Sequence, residues 1–151
     1  MPIRLSTGLR TNLAGTTGFA STFANGIIEI RSGSQPVSAD NAVSGVLLGI
    51  VTLSSMAFTP GSPTNGLTFA AASGGSVSKS GTWSFVGLAK GTAGWFRFKG
   101  NGVDEGGAST SLPRLDGSVG TSGANLNLSN INIEVGAPTT IDSFTWTQPA
   151  G

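Results

Sequence analysis

The chain has 151 residues, the length of one ordinary domain, yet only 8 basic and 7 acidic side chains, for a net charge of +1; an average soluble chain gives about a quarter of its positions to charge. With no His, no Cys and no Tyr it lacks the commonest general base, the soft metal ligand and any disulfide. Without a basic excess it has no electrostatic footprint for nucleic acid, and no apolar run reaches the 18 or more residues of a membrane span.

The first 25 residues carry helical spacing. Leu5, Leu9 and Leu13 recur every four positions, and Phe19 and Phe23 repeat the interval. Ser6 or Thr7 can cap the first turn, Asn25-Gly26 is a stop signal, and the Gly15-Thr16-Thr17-Gly18 break predicts two short helical pieces rather than one helix. This segment, 1–25, is set apart as an N-terminal helical segment or arm from a β domain over 26–151.

From Gly26 onward the period changes to two. Ile28 and Ile30 alternate with Glu29 and Arg31, a half-buried strand. Residues 46–53 form a continuous apolar strand, buried on both faces or bent at Gly49. Residues 59–66, TPGSPTNG, are dense turn chemistry. Leu67 and Phe69 start the next strand, Ser73-Gly74-Gly75 turns it and Val77 continues it. Trp83 and Phe85 are in phase with each other, as are Phe96 and Phe98, and residues 83–99 read as a hairpin turning at 90–92. The alternation slips at Ser129-Asn130 and again at Ser143, each a bulge or bend. Short strands with turns every 8–12 residues predict a mostly β, single-domain sandwich, jelly-roll-like, with the helical segment at its start.

Little in the pattern points to chemistry. Asp104, Glu105 and Asp116 can meet in space, but their spacing matches no Ca²⁺ loop and reads as solvated charge. Ser78-Lys79-Ser80 is the nearest approach to a nucleophile with a base, in a turn where Lys stays hydrated. Residues 87–92 hold Gly, Lys and Thr without phosphate-loop spacing. No catalytic, cofactor-binding or metal-ligating residue is therefore expected. Arg97 and Lys99 share the strand face opposite Phe96 and Phe98, and Trp95 lies with them, out of phase with the core. That face is either solvated or meets an acidic partner, with Trp95 as an interfacial aromatic. Trp83, Trp95 and Trp146 as a flat sugar-binding platform is a further reading; Trp83 and Trp146, in phase with Phe85 and Phe144, read as core. Low charge throughout, with edge strands unguarded by Lys or Pro, favours a chain that lives in an assembly.

The sequence resembles small structural proteins of tailed-bacteriophage virions along nearly its whole length: IRLSTGLR at 3–10, AFTPGSPTNGLTF at 57–69, GTAGWFRF at 91–98 and LDGSVG at 115–120. The resemblance implies a capsid decoration (cement) protein, a non-enzymatic dimer or trimer on the outside of the shell whose partner is the major capsid protein. Such a chain is made in the host cytoplasm and needs no cofactor, nucleic acid or membrane. On that expectation Leu5 and Leu9 lie on a neighbour as part of an arm, and Trp95, Arg97 and Lys99 meet the shell. The alternative within the virion is a tail or baseplate component, receptor-binding through the loop 100–113.

Overall fold

Helix is confined to the first 25 residues of the computed structural model, which describes residues 2–150. After a two-residue strand, β1 (Arg4–Leu5), α1 (Thr7–Ala14) begins where Ser6 Oγ accepts the Leu9 backbone N–H at 3.1 Å, and it ends at Gly15. α2 (Phe19–Phe23) follows Gly18, and Asn25, at φ +60°, turns the chain out of it. Helices this short are unstable alone. Leu9, Phe19 and Phe23, all buried, hold them to the rest of the fold.

The remaining strands are β2 (Ile27–Ser32), β3 (Leu47–Leu53), β4 (Thr68–Phe69), β5 (Ser76–Ser80), β6 (Trp83–Val86), β7 (Gly91–Lys99), β8 (Arg114–Gly120), β9 (Leu126–Leu128), β10 (Asn132–Ile133), β11 (Pro138–Ser143) and β12 (Thr145–Thr147). Seven of them close a ring in the order β8-β9-β11-β6-β3-β2-β7 and back to β8. A ring of purely antiparallel neighbours needs an even number of strands. Seven close here because β8 and β9 run parallel, at Val119↔Leu126 and Gly120↔Asn127. The turn between them is locked by Asn125, whose Oδ1 accepts from Ser118 N–H and Oγ at 3.0 and 3.1 Å.

The chain is thus mostly β, as its alternation predicts, but the jelly-roll-like sandwich is corrected to a closed barrel. The seam that closes it is β7 against β8, paired from Trp95↔Ser118 to Lys99↔Arg114. The predicted 83–99 hairpin is also corrected: β6 pairs with β3 and β11, whereas β7 pairs with β2 and β8. The two slips in alternation mark changes of partner. β9 pairs with β11 and β10 with β7; β11 stays in the barrel, and past Phe144 the chain leaves it as β12.

Inside the barrel, Ile28, Ile30, Val51, Phe85, Phe96, Leu115, Leu126 and Leu128 are buried. Phe98 is the hub of the aromatic packing, its ring centroid 4.6 Å from Phe23, 5.6 Å from Phe144, 5.8 Å from Trp83 and 5.9 Å from Phe69. Gly49 sits under the Phe85 ring, where a Cβ would come within 2.1 Å of Cδ2. A second, three-stranded sheet, β12-β5-β4, packs Trp146 flat on Phe19, centroids 4.7 Å apart and planes 3° from parallel. Trp146 is half-buried rather than core, and Trp83 is fully buried.

The N-terminal residues are bolted to the barrel. β1 pairs with β8 at Arg4↔Asp116 and Leu5↔Leu115, and Ser6 Oγ donates to the Leu112 carbonyl at 2.8 Å and accepts from Arg114 N–H at 2.8 Å. Leu9 is fully buried and Leu5 packs against the same core. The expectation that Leu5 and Leu9 lie on a neighbouring subunit as an arm gives way to a different placement, since Leu9 is buried in the chain's own core and Leu5 packs partly against it.

Candidate functional site

Alternation along β7 sends Phe96 and Phe98 inward and Trp95, Arg97 and Lys99 outward, as the sequence predicts. The outward side chains do not reach solvent: Trp95 and Arg97 are 0% exposed and Lys99 5%. Two loops, residues 33–46 and 100–113, fold over them. Arg97 donates to both oxygens of Asp116, from Nε at 2.7 Å and Nη2 at 2.8 Å, and from Nη1 to the Asn41 carbonyl at 3.0 Å. Arg114 makes the same two-pronged contact with Asp104, both at 2.8 Å, and donates to the Gly107 carbonyl at 2.6 Å. Lys99 Nζ bonds Glu29 Oε2 at 2.9 Å and the Asp104 carbonyl at 2.7 Å. The Arg97 guanidinium lies over the Trp95 ring, 5.6 Å from its centroid.

This layer corrects two expectations. The acidic partner of Arg97 and Lys99 is the chain's own, Asp116 and Glu29, so Trp95, Arg97 and Lys99 are not an open contact face. Asp104 and Asp116 are not solvated loop charges; each is held by an arginine, and only Glu105 of the three stays exposed. Their environments differ. Burial pushes the Asp116 carboxyl above its ordinary value, outweighing the Arg97 contacts. Burial also opposes ionisation of Asp104, but the Arg114 and Gly106 hydrogen bonds overcome it and hold that carboxyl below its ordinary value. Loop 33–46 is tied to α1 as well, since Asp40 accepts from Thr7 N–H at 2.7 Å and Thr7 Oγ1 at 2.6 Å; that hydroxyl contact holds its carboxyl low. With every carboxylate of the layer spoken for, its chemistry is that of a clamp.

Beside the clamp, the barrel wall carries a groove of about 400 Å³ that sequence reasoning missed. It is lined by Ile50 from β3, Val86 from β6 and Leu88, by Met56, Phe58 and Pro60 of the segment after β3, and by Glu29, Lys99 and Asp104 of the clamp. The segment after β3 is held by a turn at Ser54 and Ser55, both at positive φ, and by Thr52 Oγ1 donating to the Met56 carbonyl at 2.6 Å. Met56, Val86 and Leu88 are 56%, 43% and 55% exposed. Outward apolar residues at 50, 56, 86 and 88 belong to three separate segments, so no local pattern announces the groove. No group of three or more acidic side chains able to hold a metal ion occurs among the described residues, and no helix there is long and apolar enough to cross a membrane.

No protein-family model, curated protein or solved structure matches this chain.

Proposed function

We propose that the chain is a structural component of a tailed-bacteriophage virion, a decoration protein that binds the outside of the assembled shell and stabilises contacts between copies of the major capsid protein. The observation that carries this reading is where the charge goes. Among the described residues only Arg10, Lys90, Glu105, Glu134 and Asp142 are exposed charged side chains, while the large apolar residues Val37, Val46, Met56, Val86, Leu88, Val103 and Val135 are exposed. Ion pairs that would solubilise a free monomer are buried under its loops instead. Depletion of charge is the compositional mark of an interface, and Met56, Val86 and Leu88 of these exposed residues gather in one groove. The resemblance of residues 3–10, 57–69, 91–98 and 115–120 to small virion proteins supplies the setting.

On this reading the groove walled by Ile50, Met56, Val86 and Leu88 is the docking face, and the clamp residues Glu29, Lys99 and Asp104 border it. Each contact with the shell is modest, but a chain bound across a seam holds two capsomers, and linked contacts reinforce one another. Met56 supplies a direct test. In free protein its thioether is oxidised readily by peroxide; on shells it is protected. Equal oxidation rates of Met56 in free and bound protein would show that the groove is not the docking face.

A further inference from the structure

The three-stranded sheet ends in an edge that is self-complementary. In β12 the hydrogen-bonded register with β5 is fixed by Lys79 N–H to the Phe144 carbonyl at 3.1 Å and Gln148 N–H to the Gly75 carbonyl at 2.8 Å. Alternation in an antiparallel pair then makes Trp146↔Val77 the bonded pair between them, and Thr145↔Ser78 and Thr147↔Ser76 the non-bonded pairs. The side chains agree: non-bonded pairs bring side chains closer, and the hydroxyls of Ser78 and Thr145 lie 3.0 Å apart, those of Ser76 and Thr147 2.7 Å. The backbone N–H and C=O groups of Thr145 and Thr147 consequently point away from β5, and among the described residues nothing bonds them. This edge carries no charge and no Pro within the strand, the usual guards against pairing. Thr145 and Thr147 are both exposed.

We infer that β12 pairs antiparallel with β12 of a second copy about a two-fold axis at Trp146, joining the two small sheets into one of six strands. The strand reads Thr-Trp-Thr in either direction, so a two-fold at its centre sets Thr145 opposite Thr147 of the second copy and Thr147 opposite Thr145. Those are bonded pairs, and every outward group of both edges finds a partner in four hydrogen bonds. The hydroxyl row runs on across the seam, through Ser78, Thr145, and Thr147 and Ser76 of the second copy. On the opposite face the two Trp146 side chains meet at the axis, covering indole surface left open beside Phe19. An isologous contact of this kind closes at two copies. The inference is independent of the virion reading, since it concerns the free protein.

Sedimentation equilibrium tests it. The apparent mass is expected to rise from 15.0 kDa toward twice that with concentration. Thr147→Pro deletes an outward N–H that makes no bond within the chain, and the double variant Thr145→Lys/Thr147→Lys sets like charges opposite each other across the seam. Both are expected to stay monomeric and cooperatively folded, melting close to the parent at concentrations where the parent is itself monomeric; should the proline disturb β12, the lysine variant carries the test on an exposed face. Because the chain has no Cys, Trp146→Cys is expected to give a single cross-linked dimer on mild oxidation, the paired Cα atoms lying at disulfide range. A parent chain that remains at 15.0 kDa up to about 1 mM, or a dimer that the folded lysine variant leaves intact, overturns the inference.

Discussion

Arg97 and Asp116 face one another across β7 and β8 with neither side chain exposed, joined by hydrogen bonds of 2.7 and 2.8 Å. The pair sits on the outside of the barrel wall, yet it is as buried as the aromatic core on the inside. Removing one partner strands the other as an uncompensated buried charge, which costs about 3–5 kcal/mol. Arg97→Met is expected to lose that much in urea unfolding. Arg97→Met combined with Asp116→Leu is expected to lose far less, since neither charge is then left buried alone.

Asp104 sets part of the acid sensitivity. Burial works against its charge, but the Arg114 and Gly106 contacts hold its carboxyl below the ordinary value of 3.8. The folded chain therefore binds fewer protons at this group than the unfolded chain does. The stability it contributes is complete above the unfolded value and is lost as pH falls through the lower folded one. Asp116, shifted upward by burial, contributes the opposite slope above 3.8. Asp104→Asn is expected to flatten the fall in stability below about pH 4, read by unfolding at a series of pH values.

Gly49 leaves room for a ring. A Cβ there would stand 2.1 Å from Cδ2 of Phe85, a fully buried ring. Gly49→Ala is expected to destabilise by about 1–3 kcal/mol. Pairing it with Phe85→Leu is expected to recover part of the loss, a non-additivity that thermal unfolding of the four chains would measure.

Two buried tryptophans predict different outcomes for the same substitution. Trp83 Nε1 donates to the Ser80 carbonyl at 3.0 Å, whereas Trp95 Nε1 is buried without a partner among the described residues. An unsatisfied buried donor costs about 1–3 kcal/mol. Trp95→Phe, which removes that donor, is expected to be the milder change, and Trp83→Phe, which removes a satisfied one from the core, the more destabilising. Chemical unfolding of the two variants side by side checks the order.

What was legible in the sequence is local. The helix cap at Ser6, the break at Gly15–Gly18, the strand phases of Ile28 and Ile30 and of Phe96 and Phe98, and the slips at Ser129 and Ser143 all follow from spacing and backbone preference, and all are seen. What depends on distant partners was not legible. Alternation is the same in a sandwich wall and a barrel wall, and closure rests on β7 meeting β8 and on a two-residue parallel contact with β9. The outward face of β7 was misread for a related reason. Arg97 and Lys99 look like solvent-facing charge until Asp116, 19 residues away, and Glu29, 70 residues away, are brought to them under two loops. The groove was invisible because its apolar side chains come from separate stretches of chain, Ile50 in β3, Met56, Phe58 and Pro60 after it, and Val86 and Leu88 at and beyond the end of β6.

The proposal that this chain binds an assembled shell is open to trial with shells built from a tailed-bacteriophage major capsid protein. Purified chain is mixed with shells lacking it, sedimented, and its bound copies are counted. Saturable binding at many copies per particle is expected, with Leu88→Asp and Met56→Asp abolishing it while leaving the melting temperature unchanged. No binding to shells, binding indifferent to both substitutions, or adsorption of the free protein to host cells instead would contradict it.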